Sequence, residues 1–336
     1  MDAALLVAIA LALGFAVTNG LHDASNAIAT LVATRAARPG QALALAAVFN
    51  LLGPLLVGGA VASAIGGIVT IAGSEAVDVI AAGLLGAVAW NLVTWRWGLP
   101  SSSGHALVGG LVGAALMAGG AGAVRWGGLD GIHPVGVLGA CIALAISPPL
   151  GALAGLLLVR GLRRGARAAS RRWRDVTQAG QWATSATLAF SHGANDAQKS
   201  AGVIAAVLLA DGRIGTLAAP LWVTIGCAAA LTLGTAAGGW GIARTVGRRI
   251  YHLHPIDGLC SQGASAAVIL GASLAGAPTS TTQVVASSVV GVGGGRRRWH
   301  HVRWEVVRHM GTAWLLTMPA SAAIAALTFV LWQAAS

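Results

Sequence analysis

A chain of 336 residues that is 56% hydrophobic and only 9% charged is not a soluble domain, because soluble domains carry about 25% charged residues. Mean hydropathy is +0.76, and the apolar runs are rich in Ala, Gly, Val and Leu, which suits helices, whereas outer-membrane strands would alternate apolar with polar residues over about 10 positions. The net charge of +11 is no nucleic-acid signal, since the arginines cluster in loops at Arg160 to Arg174, Arg244 to Arg249 and Arg296 to Arg298, where the positive-inside rule puts them.

In chain order, apolar segments run over about 3–35, 41–66, 77–97, 101–118, 134–159, 177–210, 216–243, 256–275, 279–294 and 308–334. A membrane span needs about 20 residues, and most of these qualify. The fold class expected is therefore an all-α polytopic membrane protein of about ten membrane segments. Segments 101–118 and 279–294 are short and read as re-entrant. Segments 3–35 and 177–210 are too long for one straight crossing, and each has a polar stretch at its centre. A helix broken at that stretch would account for both. No basic region precedes the first apolar run, so a cleaved secretory signal is not expected. Cys141, Cys227 and Cys260 form no pairing pattern and read as small core residues.

Loop charge sets an orientation. Arg35, Arg38 and Arg96 mark inside loops, as do Arg160 to Arg174, Arg244 to Arg249 and Arg296 to Arg303. The acids Glu75 and Asp78, the loop of Arg125 and Asp130, and residues 211–215 fall outside, with both termini. Five segments precede the basic stretch and five follow it, an odd number that inverts the second set relative to the first. The organisation expected is 1–159 as a first inverted repeat, 160–175 as a basic cytoplasmic linker and 176–336 as a second inverted repeat. Inverted repeats with broken or re-entrant helices are common among secondary transporters.

Two duplicated motifs support the repeat. Gly20-Leu21-His22-Asp23-Ala24-Ser25-Asn26 returns as Gly193-Ala194-Asn195-Asp196-Ala197-Gln198-Lys199. On the shared Gly, His22 matches Asn195, Asp23 matches Asp196, and Asn26 matches Lys199, the only lysine in the sequence. Pro100-Ser101-Ser102-Ser103-Gly104-His105 returns as Pro278-Thr279-Ser280-Thr281-Thr282-Gln283. A charge at mid-membrane costs at least about 2.5 kcal/mol, so an acid retained there serves a function.

The chemistry follows from the residue types. Proline followed by hydroxyls reads as a helix start, with Ser or Thr as the cap. A helix start offers unpaired N–H groups and the positive end of the dipole, a site for an anion. Ser101, Ser102, Ser103, Thr279, Ser280 and Thr281 are thus the candidate substrate ligands, with Lys199 either facing the anion or balancing Asp196. Asp23 and Asp196 can carry a proton or hold a cation, and Asn26 and Asn195 supply carbonyl oxygens. Histidine ordinarily titrates near neutrality, which makes His22, His192 and His105 candidates for proton movement, while hydroxyls and histidines inside helices also serve as plain packing groups.

These four motifs, in this order and over nearly the whole chain, resemble the paired signatures of the inorganic phosphate transporter (PiT) family. The resemblance implies symport of inorganic phosphate with a cation by alternating access between inverted repeats. His22 departs from the family's usual Asn, and Gln198-Lys199 follow the second acid. Both features are similar to the bacterial low-affinity, proton-coupled branch, which implies proton rather than sodium coupling and phosphate carried as a divalent-metal complex. The expected function is a secondary active transporter of phosphate in the cytoplasmic membrane. Asp23, Asn26, Asn195 and Asp196, with His22 and His192, would form its coupling-ion or proton site. No cofactor and no certain metal ligand are expected. Partners are phosphate, alone or with a divalent metal, and the lipid bilayer; nucleic acid is not expected, and a homo-oligomer is allowed. Three alternatives stay open on the residues: a sulfate permease of the same fold, an intramembrane serine hydrolase using Ser101, Ser102 or Ser103 with His105, and a passive anion channel.

Overall fold

The computed structural model describes residues 3–131, 133–165, 173–238, 250–296 and 299–335, together with Ile242 and Thr245. Eleven α-helices are described: α1 Ala3–Ala33, α2 Pro39–Val57, α3 Ala60–Gly66, α4 Ser74–Arg96, α5 Ser103–Gly119, α6 Gly136–Gly165, α7 Trp173–Ala210, α8 Leu221–Ala237, α9 Pro255–Leu274, α10 Thr281–Gly295 and α11 Trp304–Ala335. A two-residue hairpin pairs Leu129–Asp130 with His133–Pro134. Among the described residues, six helices are long and apolar enough to cross a membrane, namely α1, α2, α4, α5, α6 and α11. α8 is a shorter apolar helix, and α7 has the acid motif at its middle. Leu56, Leu221 and Leu315 are among many large apolar side chains exposed on the outer surface, which suits a lipid-facing belt rather than water.

Local sequence sets the helix ends. α1 stops where Arg35 takes the left-handed conformation, φ 59°, and Ala36 N–H returns to Leu31 O at 3.0 Å. Pro39 then opens α2, since proline lacks only an N–H that the first turn leaves unbonded anyway. α9 opens on Pro255, and Asp257 reaches back to His254 N–H at 3.1 Å. Asp257 also pairs with Arg296 at 2.5 Å, tying the start of α9 to the residue that ends α10.

The break expected at the acid motifs is not there. α1 and α7 run through them as continuous helices. At 1.5 Å per residue they are about 46 and 57 Å long, beyond the roughly 30 Å apolar core, so they tilt or project from the membrane. The interruptions lie elsewhere: α2 and α3 are split at Gly58-Gly59, and α5 and α10 begin deep inside the bundle. The two prolines, Pro100 and Pro278, stand two residues before the caps Ser102 and Ser280, not in the first helical turn.

Helices of one half pack on helices of the other in matched fashion. α1 lies on α8, and α7 on α2; α5 lies on α11, and α10 on α6. Glycines set these contacts. A Cβ on Gly20 would fall 2.0 Å from Leu231 O on α8, and one on Gly193 would fall 2.2 Å from Asn50 O on α2. Small residues let helix backbones approach this closely in lipid, where burying apolar surface gives little driving force. α1 and α7 cross antiparallel: Asp23 meets His192, and just past the end of α1 Thr34 donates to Gln181, earlier in α7.

Candidate functional site

The crossing of α1 and α7 brings both acid motifs together, and the starts of α5 and α10 point at the same place. Asp23 and Asp196 are each 1% exposed. Asp23 collects hydroxyl donors from both helix starts. Ser103 donates to its Oδ2 at 3.3 Å and Thr281 to the same oxygen at 3.1 Å. Thr282 donates to Oδ1 at 2.5 Å, so two separate helix N-termini meet on one carboxylate.

Most of the expected site residues fall within this cluster. His22 Nδ1 lies 3.4 Å from Asp23, and its Nε2 lies 3.2 Å from Ser101 Oγ and 3.3 Å from Thr94 Oγ1. Asn195, its match in the second half, accepts from Thr279 N–H at 3.2 Å and donates to Ser273 Oγ at 3.0 Å. Each residue therefore secures the segment that leads into the short helix of its own half. Asn26 donates to Thr282 Oγ1 at 3.1 Å. Lys199 donates to Asp196 and, at 2.6 Å, to Thr279 O.

His192 links the halves. Its Nε2 lies 3.2 Å from Asp196 Oδ2 and 3.8 Å from Asp23 Oδ2. Its Nδ1 lies 2.9 Å from Asn50 Oδ1, and Asn50 donates to Thr235 at 2.9 Å. Asp23, His192 and Asp196 each present a ligand atom within 4.8 Å of the others, so this trio could hold a cation. Asn26 Oδ1, one helical turn on from Asp23 in the chain, is buried without a protein partner.

Ser102 and Ser280 do what a helix start asks of them. Ser102 Oγ accepts from His105 N–H at 3.3 Å, and Ser280 Oγ accepts from Gln283 N–H at 3.4 Å. A capping hydroxyl keeps its own hydrogen and can still donate. Thr279 Oγ1 is buried without a protein partner. An apolar cleft of about 540 Å³ between α6 and α9 reaches Pro278 and Thr279. The six anion-ligand candidates are all at most 3% exposed, so the cluster is closed to solvent in this conformation.

Four participants were not among the expected site residues: Asn19, which accepts from Ser103 Oγ at 2.6 Å, and Asn50, Thr94 and Thr282. Thr282 follows the hydroxyl triplet directly and had a signal in the repeat. Asn19 lies one residue before Gly20. Asn50 and Thr94 are lone polar residues in apolar helices and had none.

Residues 19–325 match the phosphate transporter family PHO4. A Rhizobium meliloti protein named probable low-affinity inorganic phosphate transporter is 41% identical over 327 residues, covering 96% of this chain and 94% of its own. A Bacillus subtilis protein of the same name is 37% identical, covering 98% of both chains. The solved structure titled "The sodium-dependent phosphate transporter" superposes with a TM-score of 0.86 at 24% identity, over 99% of each chain, a likeness of fold. Its relatives being transporters and not enzymes, the hydrolase alternative falls away; the 2.7 Å contact of Ser102 Oγ with His105 Nδ1 lies beside the cap bond that the same hydroxyl accepts from His105 N–H. On the extent of these matches, this chain belongs to the phosphate transporter family.

Proposed function

We propose that this protein is a proton-coupled symporter of inorganic phosphate in the cytoplasmic membrane, working by alternating access between two inverted repeats. The observation that carries the reading is the convergence of Ser103, Thr281 and Thr282 on Asp23. While Asp23 is a carboxylate, it holds the hydroxyls that an incoming phosphate would use. A proton or cation on Asp23 weakens its hold on Thr281 and Thr282 and frees them to donate to phosphate, whereas the nearer acceptor of Ser103 is Asn19 at 2.6 Å. It also removes a negative charge that would repel the anion. Binding of the driving ion and of phosphate are then favourable together, which is what symport requires.

The substrate ligands in this reading are Ser101, Ser102, Ser103, Thr279, Ser280 and Thr281, with Thr282 added. Asn26, His22 and His192 surround the coupling acid, and Asn195 orients the start of α10. The relatives' names favour phosphate over sulfate. The antiparallel crossing of α1 and α7, and the matched packing of each half on the other, support inverted repeats. A divalent metal travelling with phosphate would find Asp23 and His192 as ligands, since Asp196 is engaged by the Lys199 ammonium.

The test is uptake of radiolabelled phosphate by proteoliposomes with proton and sodium gradients imposed separately. Uphill accumulation under the proton gradient, with no response to sulfate as competitor, is expected. Accumulation under sodium alone would overturn proton coupling, and downhill flux only would leave a passive channel.

A further inference from the structure

Among the positions at which the two halves of the central cluster differ, two change together. In the first half, Asn26 follows Asp23 by one helical turn and donates to Thr282 Oγ1, which itself donates to Asp23. At the matching places around Asp196 stand Lys199 for Asn26 and, from the start of α5, Gly104 for Thr282. Lys199 is 1% exposed, and its ammonium bonds Asp196 and Thr279 O. A Cβ on Gly104 would lie 3.4 Å from Lys199 Nζ, so the remaining atoms of a threonine there would crowd the ammonium. One substitution adds a fixed positive charge, and the other clears the room it occupies.

Charge then separates the two acids. A buried charge needs a partner. Asp196 has one in the chain itself. Asp23 has the neutral donors Ser103, Thr281 and Thr282, and the imidazoles of His22 and His192. The other titratable groups close to the ammonium are His192 on α7 and His105 on α5.

We propose that Lys199, seated in the room left by Gly104, is a built-in counter-cation for Asp196, so that the second half of the site runs without the exchangeable proton or cation that the first half takes up at Asp23. Lys199 thereby belongs to the coupling machinery rather than to the anion. It limits the number of ions carried with each phosphate. The assignment rests on the coupling role proposed for Asp23.

The experiment copies the first half into the second. Lys199→Asn with Gly104→Thr is compared with wild type in proteoliposomes, by uptake of radiolabelled phosphate under a proton gradient in choline, sodium, lithium or potassium medium. Wild-type uptake should be the same in all four. The double variant should be slower in choline by about tenfold or more, with saturable recovery in one of the small cations. Gly104→Thr alone should impair uptake in every medium, and adding Lys199→Asn should relieve that in the favoured cation. Thermal melting in detergent verifies folding; should the double variant not fold, Lys199→Gln is read in the same way. A folded variant that transports at the wild-type rate in choline, or that is inactive with every cation, overturns the assignment. A wild type that fails to accumulate phosphate under the proton gradient instead overturns the coupling reading on which it rests.

Discussion

Asp23 is the residue on which the most contacts of functional type converge, and the first prediction concerns it. Asparagine keeps the shape but has one acceptor oxygen in place of two, so it can hold Thr282 or the Ser103–Thr281 side and not both, and it neither takes up a proton nor changes charge. Asp23→Asn is therefore expected to abolish gradient-driven accumulation while phosphate exchange across the membrane persists. Accumulation at the wild-type rate would remove Asp23 from the coupling step. The caps make a second, contrasting case. Ser102→Ala and Ser280→Ala each remove a helix cap, a loss of about 1 kcal/mol of stability, and a donor to the anion. If the hydroxyls also bind phosphate, affinity falls about tenfold or more on top of the lowered melting temperature. A melting shift with unchanged affinity would make these two residues caps alone.

At the scale of elements, the duplicated motifs told which segments meet, and they did so because each carries polar groups that lipid penalises. The partners of those groups come from α5 and α10, so the backbones of α1 and α7 need not open to satisfy them. That is why a break read from length and polarity is absent there, and why the broken elements are the short helices whose starts supply the donors. Asn50 was illegible for a related reason: it belongs to α2, and only the folded packing of α2 on α7 brings it to His192. Gly193 tests that packing. A methyl group there would sit 2.2 Å from Asn50 O, so Gly193→Ala should push α2 off α7. It should cost about 1–3 kcal/mol in stability and slow transport by displacing His192. Unaltered melting and transport would show that this contact opens freely. The tie between α9 and α10 gives a second check. Arg296→Ala leaves the Asp257 carboxylate buried beside its helix start without its ion-pair partner, and a melting loss equivalent to about 3 kcal/mol is expected. No shift would mean that water reaches Asp257.

For the whole molecule, the antiparallel crossing of α1 and α7 makes a topological statement that loop charge completes. The end of α1 lies by the start of α7, since Gln178 and Trp182 both donate to Ala36 O. Both ends therefore share one membrane face with the last turn of α6, which carries Arg163 and Arg164. The wider arginine stretch of residues 166–172 lies outside the described residues; from Arg160, Arg163 and Arg164 we propose that this face is the cytoplasmic one. The far end of α7 then lies outside, with the loop that follows it. Cysteine labelling in intact cells checks this. Gly40 and Gly161 have open space where a side chain would stand, and Thr216 is exposed in the loop after α7. Half-buried Cys141 must first be replaced, together with the buried Cys227 and Cys260. In that background a membrane-impermeant maleimide should label Thr216→Cys from outside, and should reach Gly40→Cys and Gly161→Cys only after the membrane is opened. Equal labelling of Gly161→Cys and Thr216→Cys in sealed cells would break the link between the antiparallel crossing and an inverted repeat. The two acid motifs would then approach phosphate from the same side, and alternating access would need a different pair of moving parts.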